Sequence, residues 1–394
     1  MYDAIVVGAR CAGASTAMLL ARRGYRVLLV DRSRFPSDTM STLYIHQQGV
    51  GLLDTWGILD GVIRSGTKKL DKVTYGVPGV RLHGNAPDIR GIGGTYAPRR
   101  RILDQLIVDA AVKAGAEFRD GVRVIGLLHD VTGRVCGVRL RGTHAAEYEE
   151  KAQLVVGADG MRSIVADLAE AAIEREDPLM SCVYYSLWEN LTADFEFYER
   201  PGNWVSVIPT NDNLTAVSAY FPQSKYSKVR TDPATWFNEA VRETAPDIHE
   251  RIEGTQPIER LRGTGAQRNF FRKAWGPGWA LVGDAGCHKD TITARGITDA
   301  FVQADLLALA VGDNLSDPHR LDSALETFSR SRNEVLDTPY RSALALAALN
   351  LTESRLAMLR AISESEALTT LYFSVVGGVK TMEDLFTPEL LANW

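Results

Sequence analysis

Asp3-Ala-Ile-Val-Val-Gly-Ala-Arg-Cys-Ala-Gly13, an alanine- and leucine-rich run to Arg23, then Gly24 and Tyr25-Arg-Val-Leu-Leu-Val-Asp31: this stretch decides the fold. Asp3 to Val7 reads as a short buried strand and Gly8 to Gly13 as a turn. A helix follows to Arg23, with Gly24 placed to cap its C-terminus. A second strand, Tyr25 to Val30, ends on Asp31. This is a βαβ start with an acid at the tip of strand two, the arrangement that holds the ADP half of a dinucleotide. The diphosphate would rest on the free N–H groups of the helix N-terminus, where the helix dipole favours negative charge. Asp31 would accept hydrogen bonds from the adenosine ribose. The usual signature is Gly-x-Gly-x-x-Gly, and Arg10 stands at its middle glycine. Its side chain must point outward or lie over the phosphates as an extra cation.

Two later segments narrow the choice of dinucleotide. Leu154-Val-Val-Gly-Ala-Asp-Gly-Met-Arg-Ser163 is an apolar strand ending in Gly157-Ala-Asp159-Gly160 and leading into a helix. Trp279-Ala-Leu-Val-Gly-Asp-Ala285 is another, followed by a loop to Gly296 and a helix from near Ile297. Each places an aspartate at the carboxyl end of a buried strand, the edge where open α/β sheets bind ligands. With these three motifs in order, the chain resembles the group A flavoprotein monooxygenases, the para-hydroxybenzoate hydroxylase-like family. The resemblance implies FAD and an α/β fold. It further implies a Rossmann-like FAD-binding domain, an interleaved antiparallel β-sheet substrate domain and a helical C-terminus.

Carried over position by position, the resemblance gives the diphosphate turn to Gly8, Arg10, Cys11, Ala12 and Gly13. It gives the adenosine ribose to Asp31, and Arg32 and Val124 are further candidate cofactor-binding residues. Arg100, in Arg100-Arg-Ile-Leu-Asp104, would reach the flavin's ribityl and phosphate region. Asp159 would brace the fingerprint loop, and Gly283 and Asp284 would hold the ribityl chain. Thr293, Ala294, Arg295, Gly296, Ile297 and Thr298 would present backbone N–H groups to the flavin's pyrimidine edge. Such donors stabilise negative charge on the reduced ring. The chain departs from the family at Gly286-Cys287, where Ala-His is usual, at Thr291 for proline and at Thr298 for asparagine. His46 and His288 fall near expected flavin edges and are the candidate catalytic side chains.

A formal net charge of −5 with no basic stripe argues against nucleic-acid binding. No apolar run reaches bilayer-spanning length, so no membrane insertion is expected. Met1 directly precedes the first strand, which leads to the expectation of no signal or transit peptide and a cytoplasmic location. Cys11, Cys136, Cys182 and Cys287 have no Cys-x-x-Cys spacing and are expected to be reduced. No histidine pair has metal-ligand spacing, so no metal is expected.

The pattern divides the chain into an FAD-binding domain at 1–72, 98–180 and 259–320, a substrate sheet at 73–97 and 181–258, and a helical region at 321–394. From Asp104 to Ala114 an apolar helical stripe ends at Gly115, and strands are expected at Val122–Leu128 and Val135–Arg141. Alternating, aromatic-rich stretches read as antiparallel strands at 182–188, 195–198, 204–208 and 214–221. Asp232-Pro233 opens a helix that should stop before Pro246, and the C-terminal helices should break near Pro339. Tyr184, Trp188, Trp204 and Tyr220 are candidates for lining a pocket between the aromatic sheet and the flavin, as is the Tyr44-Ile-His46 segment.

There is no second dinucleotide fingerprint, and the resemblance implies that NADPH or NADH binds transiently as reductant. The resemblance implies a monooxygenase that hydroxylates or epoxidises a small aromatic or polyketide-like substrate with O2, through a flavin C4a-hydroperoxide, as a monomer or homodimer. Three alternatives share the cofactor. A flavin-dependent halogenase would use a lysine and a Trp-x-Trp-x-Ile-Pro segment; Trp204-Val-Ser-Val-Ile-Pro209 matches except at Ser206, and Lys68, Lys69 and Lys72 are available. A geranylgeranyl reductase-like oxidoreductase would need a long apolar tunnel. A non-catalytic FAD-binding protein would retain flavin without turnover.

Overall fold

The computed structural model describes residues 1–394 except 86, 87, 90 and 143–145. Its main sheet is centred on the strand Tyr2–Val7, flanked in parallel by Val27–Val30 and Glu147–Gly157. Glu117–Arg119 extends it on one side and Trp279–Leu281 on the other, also in parallel. Ile5, Val6, Leu28, Leu29, Val155 and Val156 are fully buried or nearly so. Burial on both faces explains why these strands read as unbroken apolar runs rather than alternating ones. Glu147–Gly157 serves two neighbours: its first half pairs antiparallel with Val135–Arg141, which pairs in turn with Arg123–His129. The Cys11–Arg22 helix lies between the helices Arg100–Lys113 and Gly296–Val311. Because the parallel strands run the same way, Gly8, Asp31, Ala158 and Gly283 all emerge at one edge of the sheet.

A second, seven-stranded sheet runs in the order Arg262–Thr264, Ser181–Glu189, Leu214–Pro222, Asn203–Pro209, Phe195–Arg200, Lys72–Val77, Val80–Asn85. It is antiparallel except where Phe195–Arg200 runs parallel to Lys72–Val77. Helices Pro233–Thr244 and Pro246–Ile252 cover its outer face over Cys182, Val205 and Val217. The inner face meets helices Glu353–Ser363 and Glu366–Val376 at one end, and Leu43, Tyr44 and Ala294 at the other. No described helix is long and apolar enough to cross a membrane.

Two local expectations change. The helix expected from Asp104 begins a turn earlier, at Arg100, which puts Arg100 and Asp104 on one face four residues apart. The expected break at Pro339 is absent, for Pro318–Ala347 is one helix of 30 residues. Proline removes one N–H and crowds the preceding turn. Leu336 and Tyr340, buried on either side against Phe271 and Cys287, hold the helix through it.

Candidate functional site

A cavity of about 880 Å³ follows the carboxyl ends of the parallel strands, a volume near the top of the range for small-molecule sites. Two glycines shape its floor. Gly8 has φ +101°, and a Cβ there would lie 2.4 Å from the Ala158 carbonyl oxygen. A Cβ on Gly13 would lie 1.7 Å from the Gly8 carbonyl oxygen, so the helix can approach the first strand only as it is. The Ala158 N–H donates to the Val7 carbonyl at 2.8 Å, which locks the two strand ends together. The Cys11–Arg22 helix has no side-chain cap and no acidic residue in its first turn. Its first N–H groups are therefore open to an anion.

Gly8, Arg10, Cys11 and Ala12 line the cavity at this turn, and Asp31, Arg32 and Val124 line one end. Asp31 accepts the Ala9 N–H at 2.8 Å on one oxygen and the Ser33 N–H at 2.7 Å on the other. Each oxygen keeps lone-pair capacity for a further donor. Arg100, Asp159, Gly283 and Asp284 line the middle. Asp159 accepts from the Ser163 hydroxyl and the Ile164 N–H at 2.5 and 2.7 Å, capping the next helix. Burial pushes its carboxyl above the usual range. The fingerprint turn is thus braced by the backbone of Ala158, while the Asp159 side chain turns to its own helix.

At the far end Ala294, Arg295, Gly296 and Ile297 line the cavity. Gly13, Thr293 and Thr298 do not. Gly13 is spent on packing, and the Thr298 hydroxyl accepts the His46 N–H at 3.0 Å. His288 lines the cavity, donating Nδ1–H to the Arg268 carbonyl and stacking on Phe270 at 6.1 Å. His46 lies behind the loop: Nε2–H donates to the Thr293 carbonyl at 2.9 Å, and buried Nδ1 has no partner. Burial, aided by Arg295, pushes its pKa down to about 3, so the ring is neutral.

The four aromatic candidates divide by strand parity, and none lines the cavity. Tyr184 and Trp188 face the outer helices, Trp188 stacked on Phe237 at 5.5 Å and 11°. This corrects the expectation that they line the pocket, because alternate residues of one strand point to opposite faces. Trp204 and Tyr220 face inward with Tyr75 and Phe197. The Tyr220 hydroxyl bonds the Thr291 carbonyl at 3.2 Å, joining the sheet to the loop at the cavity wall. An unbroken aromatic band runs from His46 through Tyr44, Phe195 and Phe197 to Trp204, with successive rings 4.3 to 5.5 Å apart.

Two side-chain groups went unread in the sequence. Asp104 holds Arg10, Arg100 and Cys11 together. Lys289 and Arg295 share Asp299. The spacings Arg100–Asp104 and Arg295–Asp299, four residues apart, were the available signal, since such pairs meet on a helix face. Of the halogenase-type lysines, Lys68 is tied to the Ala193 carbonyl at 2.7 Å, and neither it nor Lys69 nor Lys72 lines the cavity. All four cysteines are free. Among the described residues no cluster of three or more His, Cys, Asp or Glu could hold a metal ion.

Residues 1–338 match the family described as FAD binding domain. The chain is 28% identical to the digeranylgeranylglycerophospholipid reductase of Methanosarcina mazei over 80% of its length and 76% of that protein's. It is 27% identical to the 6-methylpretetramide 4-monooxygenase of Streptomyces rimosus over 77% and 73%. Among solved structures, the myxobacterial chondrochloren halogenase CndH shares the fold at TM-score 0.79 and 21% identity, covering 99% of this chain and 96% of that one. The uncapped helix, the glycine floor and the length of the cavity suit a dinucleotide. The chain belongs to the FAD binding domain family and is an FAD-dependent oxidoreductase.

Proposed function

We propose that the chain is a monooxygenase acting on a small aromatic or conjugated substrate, with NADPH or NADH as transient reductant. Bound FAD would pass the reductant's two electrons to O2, one atom of which would enter the ring while the other leaves as water. The chain's own part begins at the fingerprint turn, where the first helical N–H groups, Arg10 and Arg100 bind the diphosphate. Asp31 and Arg32 bind the adenosine ribose beside Val124, and Asp284, beside Gly283, binds the ribityl chain. Backbone N–H groups at Ala294–Ile297 meet the flavin's pyrimidine edge. Lys289 and Arg295 line the cavity there and share the Asp299 carboxylate, so two cations stand where negative charge on the reduced ring would develop.

The observation that carries the reading is the apolar wall shared by sheet and loop. Leu43, Tyr44, Leu187, Ile208 and Ala216 form one buried cluster on which Ala294 packs, and Phe195 continues it toward Trp204. Of these residues Ala294 lines the cavity, and the buried cluster behind it would back a flat aromatic ring on that side. The relatives also support a second reading, reduction of an isoprenoid double bond.

Anaerobic stopped-flow reduction by NADPH and by NADH, with phenolic, polycyclic and isoprenoid ligands, followed by mixing with O2, separates these. Reduction accelerated by an aromatic ligand, with oxygen recovered in the product, is expected. Saturation of an isoprenoid with no oxygen incorporated would overturn the monooxygenase reading in favour of the reductase.

A further inference from the structure

Arg10 stands where the fingerprint has a glycine, and its guanidinium is tightly held. Nη1 lies 2.7 Å from Asp104 Oδ2 and 3.2 Å from the Ser37 carbonyl, and Nη2 lies 3.1 Å from Ser37 Oγ. The group also lies over the Phe35 ring at 5.6 Å. Arg100 reaches the other oxygen of the same carboxylate, with Nε at 3.1 Å and Nη2 at 3.0 Å from Oδ1. The Cys11 thiol donates to that oxygen at 3.2 Å. The fingerprint turn and the Arg100–Lys113 helix therefore meet through the Arg10–Asp104 pair, and the loop after Asp31 joins them through Arg10.

Exposure orders the group. The Asp104 side chain is 1% exposed and does not line the cavity, whereas Arg100 at 11% and Arg10 at 25% both do. Asp104 can act on a ligand only through the side chains bonded to it, the two arginines and the Cys11 thiol. One arginine would neutralise one buried carboxylate, and Arg100, four residues away on the same helix, already does so. The second cation is in excess, and an excess charge at a partly buried site calls for an anion. Among the described residues no carboxylate other than Asp104 is bonded to Arg10 or to Arg100, and Asp284 acts on Arg100 across the cavity without a bond. Arginine suits the task because its planar fork of five donors can bond a carboxylate and a phosphate at once.

We propose that Asp104 is a positioning residue that holds Arg10 and Arg100 as a guanidinium clamp on the cofactor's diphosphate. The clamp rests on the FAD reading of the cavity and deepens it. It replaces a close backbone approach, which the Arg10 Cβ hinders, with side-chain charge at a fixed place. It also ties the loop carrying Phe35 and Ser37 to the site, so that this loop is ordered by the residues that hold the phosphates.

The test is titration of the apoprotein with FAD, ADP and riboflavin, for the unsubstituted chain and for Arg10→Met, Arg10→Lys and Asp104→Asn. Arg10→Met and Asp104→Asn are each expected to weaken FAD and ADP about tenfold or more, and riboflavin, which lacks phosphate, by less than about twofold. Arg10→Lys keeps the charge but loses the fork, and should behave as Arg10→Met does. Asp104→Asn raises the local charge from one net positive to two, so attraction by charge alone would tighten FAD. Tighter FAD in Asp104→Asn, or unchanged FAD and ADP in Arg10→Met, would overturn the clamp. If Asp104→Asn fails to fold by circular dichroism, the two Arg10 variants decide, and wild-type affinity in Arg10→Lys overturns the fork. An unsubstituted chain that binds no FAD would sink the reading of the cavity itself, a separate failure from loss of the clamp.

Discussion

Lys289 and Asp299 are paired at the rim of the cavity with both side chains almost wholly out of water, at 7% and 5% exposure. Arg295 shares the same carboxylate at 3.3 Å. Burial alone would lower the Lys289 pKa, but Asp299 outweighs it and holds the ammonium above its ordinary value. The two cations in turn hold Asp299 below the usual carboxylate range, against the opposing effect of burial. Lys289→Met should cost about 2–4 kcal/mol, less than a fully orphaned carboxylate would, because Arg295 remains. Urea unfolding of Lys289→Met, Asp299→Asn and the double variant gives the coupling, expected above about 1 kcal/mol. A coupling near zero would mean that water screens the pair.

The same cation should tune the flavin. With the reduced ring's negative charge beside Lys289 and Arg295, Lys289→Met is expected to lower the bound flavin's two-electron midpoint potential by about 30 mV, equivalent to ~1.4 kcal/mol. Spectroelectrochemistry reads this directly. An unchanged potential would place the pyrimidine edge elsewhere in the cavity.

His46 sets a limit on acid stability. Its folded pKa of about 3 lies below the ordinary value of 6.5. Above pH 6.5 both folded and unfolded chains hold it neutral, so its contribution there is constant. Between 6.5 and about 3 only the unfolded chain takes up the proton, and stability falls with falling pH by roughly 1.4 kcal/mol per unit. His46→Asn should flatten the pH dependence of the unfolding free energy across that window. An unaltered slope would show that another group governs it. For the same reason the pH profile of catalysis should show no limb from His46 between about pH 5 and 8.

The strand–turn–helix–strand start and the two later strand ends were legible because each is local. Glycine, an apolar run and a terminal acid lie within a few residues of one another, and parallel strands gather their carboxyl ends without further instruction. Asp284 is placed at the cavity by that same logic, whereas Arg100, at the start of a helix, was named only by the family resemblance. The faces of the second sheet were less legible. Tyr184 and Tyr220 look alike in sequence, and only knowing which face the Pro233–Thr244 helix covers separates them. Asp104 and Asp299 were harder still. Their importance comes from a partner on another element, Arg10 for the first and Lys289 for the second, and pairwise geometry across elements is not written in spacing. Pro339 misled because tertiary packing outweighed a local rule.

Gly13→Ala isolates the floor of the site. The added Cβ would fall 1.7 Å from the Gly8 carbonyl oxygen, a backbone atom with no freedom to yield. The helix must tilt away from the Tyr2–Val7 strand, carrying its uncapped N–H groups with it. FAD should be absent after gel filtration, read from the visible spectrum, while far-UV circular dichroism stays close to wild type. Gly24→Ala serves as a contrast. It replaces a glycine of positive φ, at +87°, where nothing lies within 4 Å of the added Cβ. It should cost about 1 kcal/mol and keep its flavin.

Trp188 and Trp204 test the two faces of the second sheet against each other. Both are buried, at 5% and 6% exposure, and each stacks on a phenylalanine, Phe237 outside and Phe197 inside. Truncation to alanine should destabilise each variant by about 3–5 kcal/mol, since each leaves a cavity of similar size. Stability alone therefore cannot distinguish them, but ligand response can. Trp188→Ala should preserve the dependence of flavin reduction on an aromatic ligand, because its cavity opens under the outer helices. Trp204 has an indole N–H without a partner and belongs to the aromatic band that reaches His46. Trp204→Ala should raise the ligand concentration needed for half-maximal stimulation severalfold. Equal ligand response in both variants would show that substrate does not bind along the inner face, and the wall formed by Tyr44, Leu187 and Ala294 would then be packing alone.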